Sequence, residues 1–139
     1  MGKKIKVVFD TNVWISIFLK KVLSEEFAQI NDQISLYVSK DIILEISKVL
    51  MYPKISEILK ESGLHEKEIL QAISKNSTIV NPNIKLKVID EDFEDNKILE
   101  CALTAKADII VTGDKHLLKI GKFRKTRIVT PRAFLESFS

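Results

Sequence analysis

Four acidic residues stand where side chains could do chemistry together: Asp10, Glu45, Asp95 and Asp114. Asp10 follows the β-branched run Ile5-Lys-Val-Val-Phe9, and Asp114 closes Ile109-Ile-Val-Thr-Gly-Asp114. Each lies just past the carboxyl end of an expected strand. In open parallel sheets, ligands bind at that end, where strand order reverses, so two such acids can meet. Taken singly, either residue also suits the cap of a following helix. Glu45 and Asp95 belong to helical patterns. At ~100° per residue, Glu45 falls at the border of the apolar stripe Ile42, Ile43, Ile46, Val49 and Leu50. Asp95 projects to the inward side of the stripe Ile98, Leu99, Ala102 and Ala105, at that helix's amino end. Alone, Glu45 reads as a solvated flank and Asp95 as a charge well placed on the helix dipole.

Carboxylates crowded into one cleft repel one another, and a divalent ion removes the conflict. Mg²⁺ or Mn²⁺ suits an all-oxygen Asp/Glu set. Zinc-type Cys/His spacing is absent, since the chain has one Cys and two His far apart. A carboxylate-held Mg²⁺ or Mn²⁺ is a device for hydrolysing phosphodiesters: it activates water and stabilises the attacking and leaving oxygens.

The elements that must position these acids are legible as short apolar runs. Strands are expected at Ile5–Phe9, Ile34–Val38, Thr78–Val80, Ile109–Val111 and Arg127–Thr130. Their β-branched content without strict alternation suits strands covered on both faces. Helices are expected on the two stripes above, with Ser39 as N-cap of the first. Further helices are expected over Ile55–Leu59 and Glu66–Ala72, divided by Gly63, and from Pro131 to Phe138 with Pro in the first turn. Strands alternating with helices make an α/β domain with a mainly parallel sheet.

Composition is compatible with this and excludes other classes. The 139 residues suit one domain, residues 1–139, and no Pro- or Gly-rich stretch marks a linker. A 45% hydrophobic fraction supplies a core, and 22 basic against 19 acidic residues is too balanced for a charged disordered chain. A single cysteine, Cys101, allows no internal disulfide and fits a reducing compartment. The apolar run Val13–Leu19 is far short of the ~18 residues a membrane span needs, and the amino terminus lacks a secretory h-region. The expectation is a soluble cytoplasmic protein.

The blocks that carry the acids resemble the PIN-domain family of metal-dependent ribonucleases. Val7-Val-Phe-Asp10-Thr-Asn-Val13 is similar to its strand-ending aspartate motif, and Asp41-Ile-Ile-Leu-Glu45-Ile-Ser-Lys-Val-Leu50 to its second motif. Asp92-Phe-Glu-Asp95-Asn96-Lys-Ile-Leu-Glu-Cys-Ala102 and Ala107-Asp-Ile-Ile-Val-Thr112-Gly-Asp114 resemble its third and fourth. Ile128-Val-Thr-Pro131-Arg-Ala-Phe-Leu135 resembles its last strand and helix. The resemblance covers nearly the whole chain. It implies a three-layer fold, with a five-stranded parallel sheet of order 3-2-1-4-5 flanked by helices. It implies Asp10, Glu45, Asp95 and Asp114 as catalytic and metal-holding acids for Mg²⁺ or Mn²⁺, with Asp10 and Asp114 as direct ligands. Asn12, Asn96 and Thr112 are candidate supporting donors, with turn and cap chemistry the competing explanation; Asp92 is a weaker candidate, because capping alone accounts for it. Many short members are VapC-type toxins that cut RNA, form homodimers and are silenced by an antitoxin. RNA, in single-stranded form, an antitoxin and a second copy of the chain are therefore the implied partners.

The remaining residues divide between two readings. Seven Lys or Arg residues and no acid lie between Lys115 and Leu135. Lys115, Lys119, Lys122, Arg124, Lys125 and Arg127, with Arg132, could form a phosphate-contacting edge, or equally a solvated basic loop. His116 is expected to be a structural turn residue, Trp14 a packing residue and Cys101 a small hydrophobe. Two other functions compete with the nuclease. A non-catalytic RNA-binding module would keep the fold and lack metal affinity, which the four retained acids argue against. A haloacid-dehalogenase-type phosphatase wants a second acid two residues after its strand-one aspartate, where this chain has Asn12.

Overall fold

The computed structural model describes residues 3–87 and 93–138. The elements are β1 (Ile5–Phe9), α1 (Thr11–Leu19), α2 (Lys21–Ile30), a 3₁₀ turn (Asn31–Gln33), β2 (Ile34–Ser39), α3 (Lys40–Leu50), α4 (Pro53–Ser62), α5 (Glu66–Asn76) and β3 (Thr78–Val80). Then come α6 (Phe93–Ala105), β4 (Ile109–Val111), α7 (Lys115–Ile120), β5 (Lys122–Phe123), β6 (Thr126–Val129) and α8 (Pro131–Glu136). The local signals that set these bounds are those of the sequence. Ser39 accepts from the Ile42 N–H at 3.2 Å, and Pro53 and Pro131 open α4 and α8. Gly63 ends α4 at φ +73°, with the Leu64 N–H returning to the Leu59 carbonyl at 3.1 Å.

Among the described residues the sheet has six strands in the order β3-β2-β1-β4-β6-β5. The first five are mutually parallel and match the expected order. The expected count of five is corrected by β5, a two-residue edge strand paired antiparallel to β6. A tight turn at Arg124, with φ +56°, returns the chain and creates that pair. The stretch after Asp114 is correspondingly more ordered than a basic loop. Leu117 and Ile128 are buried while the charges between them face water, so α7, β5, β6 and α8 form there.

The core lies on both faces of the sheet. Val7 and Val8 are adjacent on β1 and both fully buried, as a central strand requires. Connections β1→β2→β3 step one way and β3→β4 steps back, so right-handed crossovers put α6 on the face opposite the earlier helices. An aromatic chain ties β1 to α1, α2 and α8. Phe9 meets Trp14 and Phe27 edge-on at 5.1 Å each, and Phe27 stacks on Phe134 at 6.0 Å. Trp14 is thus a packing residue. On the other face α6 lies across β1, β2, β3 and β4 and buries Ile98, Leu99, Cys101 and Ala102. No described helix is long and apolar enough to cross a membrane.

Candidate active site

Strands β1 and β4 are neighbours in register, Phe9 opposite Val111, so the residues that follow them emerge side by side. The Asp10 N–H donates to the Val111 carbonyl at 3.0 Å, and the Thr112 N–H to the Val129 carbonyl at 2.9 Å. This extends the ladder one residue past the strands and fixes both backbones. Asp10, 8% exposed, then accepts from the Thr11 N–H on Oδ1 and from the Thr112 hydroxyl on Oδ2, each at 2.6 Å. Thr112 is fully buried, and its Oγ1 accepts in turn from the Asp114 N–H at 3.0 Å. One hydroxyl therefore couples the two strand-end aspartates, with its single proton aimed at Asp10.

Asp114 caps α7, accepting from the His116 and Leu117 N–H groups at 2.8 and 3.2 Å on Oδ1. Asp95, the third residue of α6, is 5% exposed and lies against this cap. Asp95, Asp114 and His116 each present a ligand atom within 4.8 Å of the others. The His116 Nδ1 is 3.8 Å from Asp95 Oδ2 and 3.9 Å from Asp114 Oδ1, on a ring half exposed to solvent. Asp10 and Glu45 lie outside this tightest group, Asp10 joining it through Thr112. Glu45 is half-buried on α3, one turn after Asp41, and so shares its face. Asp41 meets Lys97 of α6 at 3.9 Å, so that face is turned toward the helix that carries Asp95.

The supporting candidates separate. Thr112 makes the contacts described above. Asn96 is 4% exposed beside Asp95. Asn12 is exposed and borders a groove with Gly113, Thr130 and Arg132. Asp92 lies outside the described residues. The basic residues separate as well. Lys115 opens α7 directly after Asp114 and is exposed. Because β6 runs parallel to β4, the Arg124–Lys125 turn before it falls at the opposite end of the sheet. Four strand residues lie between that turn and the site end, a rise of ~13 Å. Lys122 and Arg127 face each other across β5 and β6, also below the site. Arg132 is engaged by Glu26 at 3.0 and 3.4 Å, which raises its already high pKa.

His116, expected to be a structural turn residue, does sit in the turn after Asp114, but its nearness to Asp95 depends on how α6 meets α7. Two other residues of this region have no reading in the sequence. Glu100 interrupts an apolar run and is 3% exposed; its Oε2 accepts from the Leu86 N–H at 2.8 Å, and its Oε1 is 3.4 Å from Lys97 Nζ. It thereby ties the segment after β3 to α6, a long-range bond with no local signature. Lys97, itself largely buried, stands between Asp41 and Glu100 as positive charge beside the acidic cleft.

A family model for the PIN domain matches residues 6–116, a span that contains every acid of the cleft. The chain belongs to the PIN-domain family. This PIN domain is 37% identical over 149 residues to the uncharacterized protein MJ1680 of Methanocaldococcus jannaschii, covering 97% of this chain and 92% of that one. Its fold is similar to that of a chain in the crystal structure of VapBC2 from Rickettsia felis bound to a DNA fragment from their promoter. The TM-score is 0.61 at 12% identity, over 89% of this chain and 97% of that one. PIN domains are typically nucleases that use divalent metals, and the donor set of this one fits such an ion. Two carboxylates and an imidazole converge within 4.8 Å at the carboxyl ends of adjacent parallel strands.

Proposed function

We propose that this PIN domain is a Mg²⁺- or Mn²⁺-dependent endoribonuclease. The observation that carries the reading is the convergence of Asp95 with Asp114, and of Asp10 through Thr112, at the sheet's switch point. Asp10, Asp95 and Asp114 would hold the ion, and Glu45 would reach it directly or through water. The ion would neutralise the phosphodiester and activate the attacking water, leaving 5′-phosphate and 3′-hydroxyl ends. The protein's own part is positional. Thr112 holds the Asp10 carboxylate in place, the α7 cap fixes Asp114, and the buried wall of α6 fixes Asp95. Exposed Lys115 would take a phosphate of the bound strand by its charge.

The likeness to a VapBC2 chain supports a toxin-type role for the domain, with an antitoxin partner and RNA, single-stranded, as substrate in the cytoplasm. Leu44 and Met51 lie seven residues apart on and just after α3, 61% and 69% exposed, and Tyr52 is 47% exposed. Such an apolar patch supports a homodimer; sedimentation as a monomer at micromolar concentration would exclude it. The activity is tested by incubating the protein with single-stranded RNAs and Mn²⁺, against EDTA and Asp10→Asn controls. Cleavage should be present in the first reaction and fall at least ~100-fold in the other two. RNA equally intact in all three, across varied substrates, overturns the reading.

A further inference from the structure

The carboxylates account for an oxygen-lined site, yet the group that completes the tightest cluster is a histidine. His116 is the second residue of α7, and its own N–H donates to Asp114 Oδ1 at 2.8 Å. The carboxylate that would bind an ion thus also fixes the turn that carries the imidazole. The Nδ1 stands 3.8 and 3.9 Å from one oxygen of Asp95 and one of Asp114, beyond hydrogen-bond range of both. Ligand bonds of about 2.0–2.2 Å allow two donors to one ion to lie up to ~4.4 Å apart. Both separations fall inside that limit. The ring is half exposed, so it lies where solvent meets the cleft. Asp95 is buried, and its carboxylate, that of Asp114 and the His116 imidazole, carried by α6 and the start of α7, each offer a donor atom within 4.8 Å of the others.

We propose that His116 supplies a nitrogen ligand, through Nδ1, to the ion held by Asp95 and Asp114, which tunes the site toward Mn²⁺ over Mg²⁺. The inference rests on the metal-dependent reading above and adds a metal preference to it. Mg²⁺ is a hard ion that takes oxygen and gives up its waters reluctantly. Mn²⁺ stands lowest in affinity among the first-row transition ions and also favours oxygen, but it accepts an imidazole nitrogen at less cost than Mg²⁺ does. A mixed set of two carboxylates and one imidazole therefore discriminates, where an all-carboxylate set does so much less.

The test is pulsed electron paramagnetic resonance on the full chain loaded with Mn²⁺, together with Mn²⁺ and Mg²⁺ titrations by calorimetry. The wild-type protein should show ¹⁴N modulation from a coordinated imidazole. His116→Gln should abolish that modulation and weaken Mn²⁺ binding roughly tenfold, while Mg²⁺ binding changes less than about twofold. His116→Glu should restore ion binding without the ¹⁴N signal and narrow the Mn²⁺/Mg²⁺ preference. His65→Gln, at the N-cap of α5, should leave the signal intact. Mn²⁺ bound with no ¹⁴N coupling, or with coupling that survives His116→Gln, overturns the role of His116 and leaves the carboxylate site standing. Failure of the wild-type chain to bind either ion overturns the metal-dependent reading itself, and the His116 proposal with it.

Discussion

At the scale of single residues, Thr112 illustrates how little separates a structural contact from a functional one. Its hydroxyl gives its only proton to Asp10 and takes the Asp114 N–H on its lone pair. Thr112→Val preserves shape and removes both interactions. It should lower stability by about 1.5–3 kcal/mol, the scale of a hydrogen bond to a charged group, as read by urea unfolding. RNA cleavage should fall roughly 10- to 100-fold, as when the residue orienting a metal ligand is lost. Thr112→Ser should retain most of both. Cys101 is the opposite case, a reactive residue type made inert by its surroundings. Burial pushes its thiol from 9.0 up to about 12, partly opposed by a hydrogen bond with Ser39. The unfolded chain then loses this proton at lower pH than the folded one, so stability is lost as pH rises above about 9. The stability gap between wild type and Cys101→Ala should therefore shrink by about 1 kcal/mol between roughly pH 8 and pH 10. Chemical denaturation at the two pH values measures it. A constant gap would contradict the buried thiol.

At the scale of elements, the caps decide where helices deliver their side chains. Ser39, Asp114 and Thr130 each accept from N–H groups in the first turn of α3, α7 and α8. Ser39 is the last residue of β2, and Asp114 and Thr130 come after β4 and β6, so each helix starts at the sheet's carboxyl end, where the cleft is. Gly63 shows the other terminus at work. It ends α4 in the left-handed region, and a Cβ there would meet nothing within 4 Å. Gly63→Ala should thus cost about 1 kcal/mol from backbone conformation alone. Thermal unfolding should register the loss, while RNA cleavage stays within twofold because α4 carries none of the cleft's acids. A change in cleavage of tenfold or more would mean that α4 and α5 help position Glu45. The caps were legible in the sequence because capping is local: donor and acceptor are within three residues of each other. The helix α7 and the strand β5 were not read, because an alternating basic stretch carries weak periodicity. What orders it is contact with β4 and the core, through Leu117 and Ile128.

At the scale of the molecule, the arrangement of charge is set by topology. The acid-free stretch from Lys115 to Leu135 looks in the sequence like one basic edge beside the site. The parallel pairing of β4 with β6 divides it, leaving Lys115 at the cleft and Arg124 and Lys125 about 13 Å below. Lys115→Ala should lower RNA affinity and reduce the salt slope of binding by ~0.7, the value for one phosphate contact on a single strand. The Arg124→Ala, Lys125→Ala pair should change neither by more than about twofold. Fluorescence anisotropy at several salt concentrations, in Ca²⁺ to suppress cleavage, distinguishes them. Equal losses for both would show that RNA runs the full height of the sheet.

The amino-acid sequence by itself determined the strand and helix alternation, the positions of Ser39, Gly63 and Pro131 as element boundaries, and Asp10 and Asp114 as strand-end acids. These follow from apolar periodicity and from capping, which act over a few residues. The tertiary structure decided which distant residues meet. It put Thr112 between the two aspartates, Asp95 against the cap of α7 with His116 facing both, and Glu100 on the Leu86 N–H. It also moved Arg124 and Lys125 to the far end of the sheet. The physical reason is the same throughout. A hydrogen bond between residues 10 and 112 exists only because β1 and β4 lie side by side, and that adjacency is fixed by the burial of both faces of the sheet.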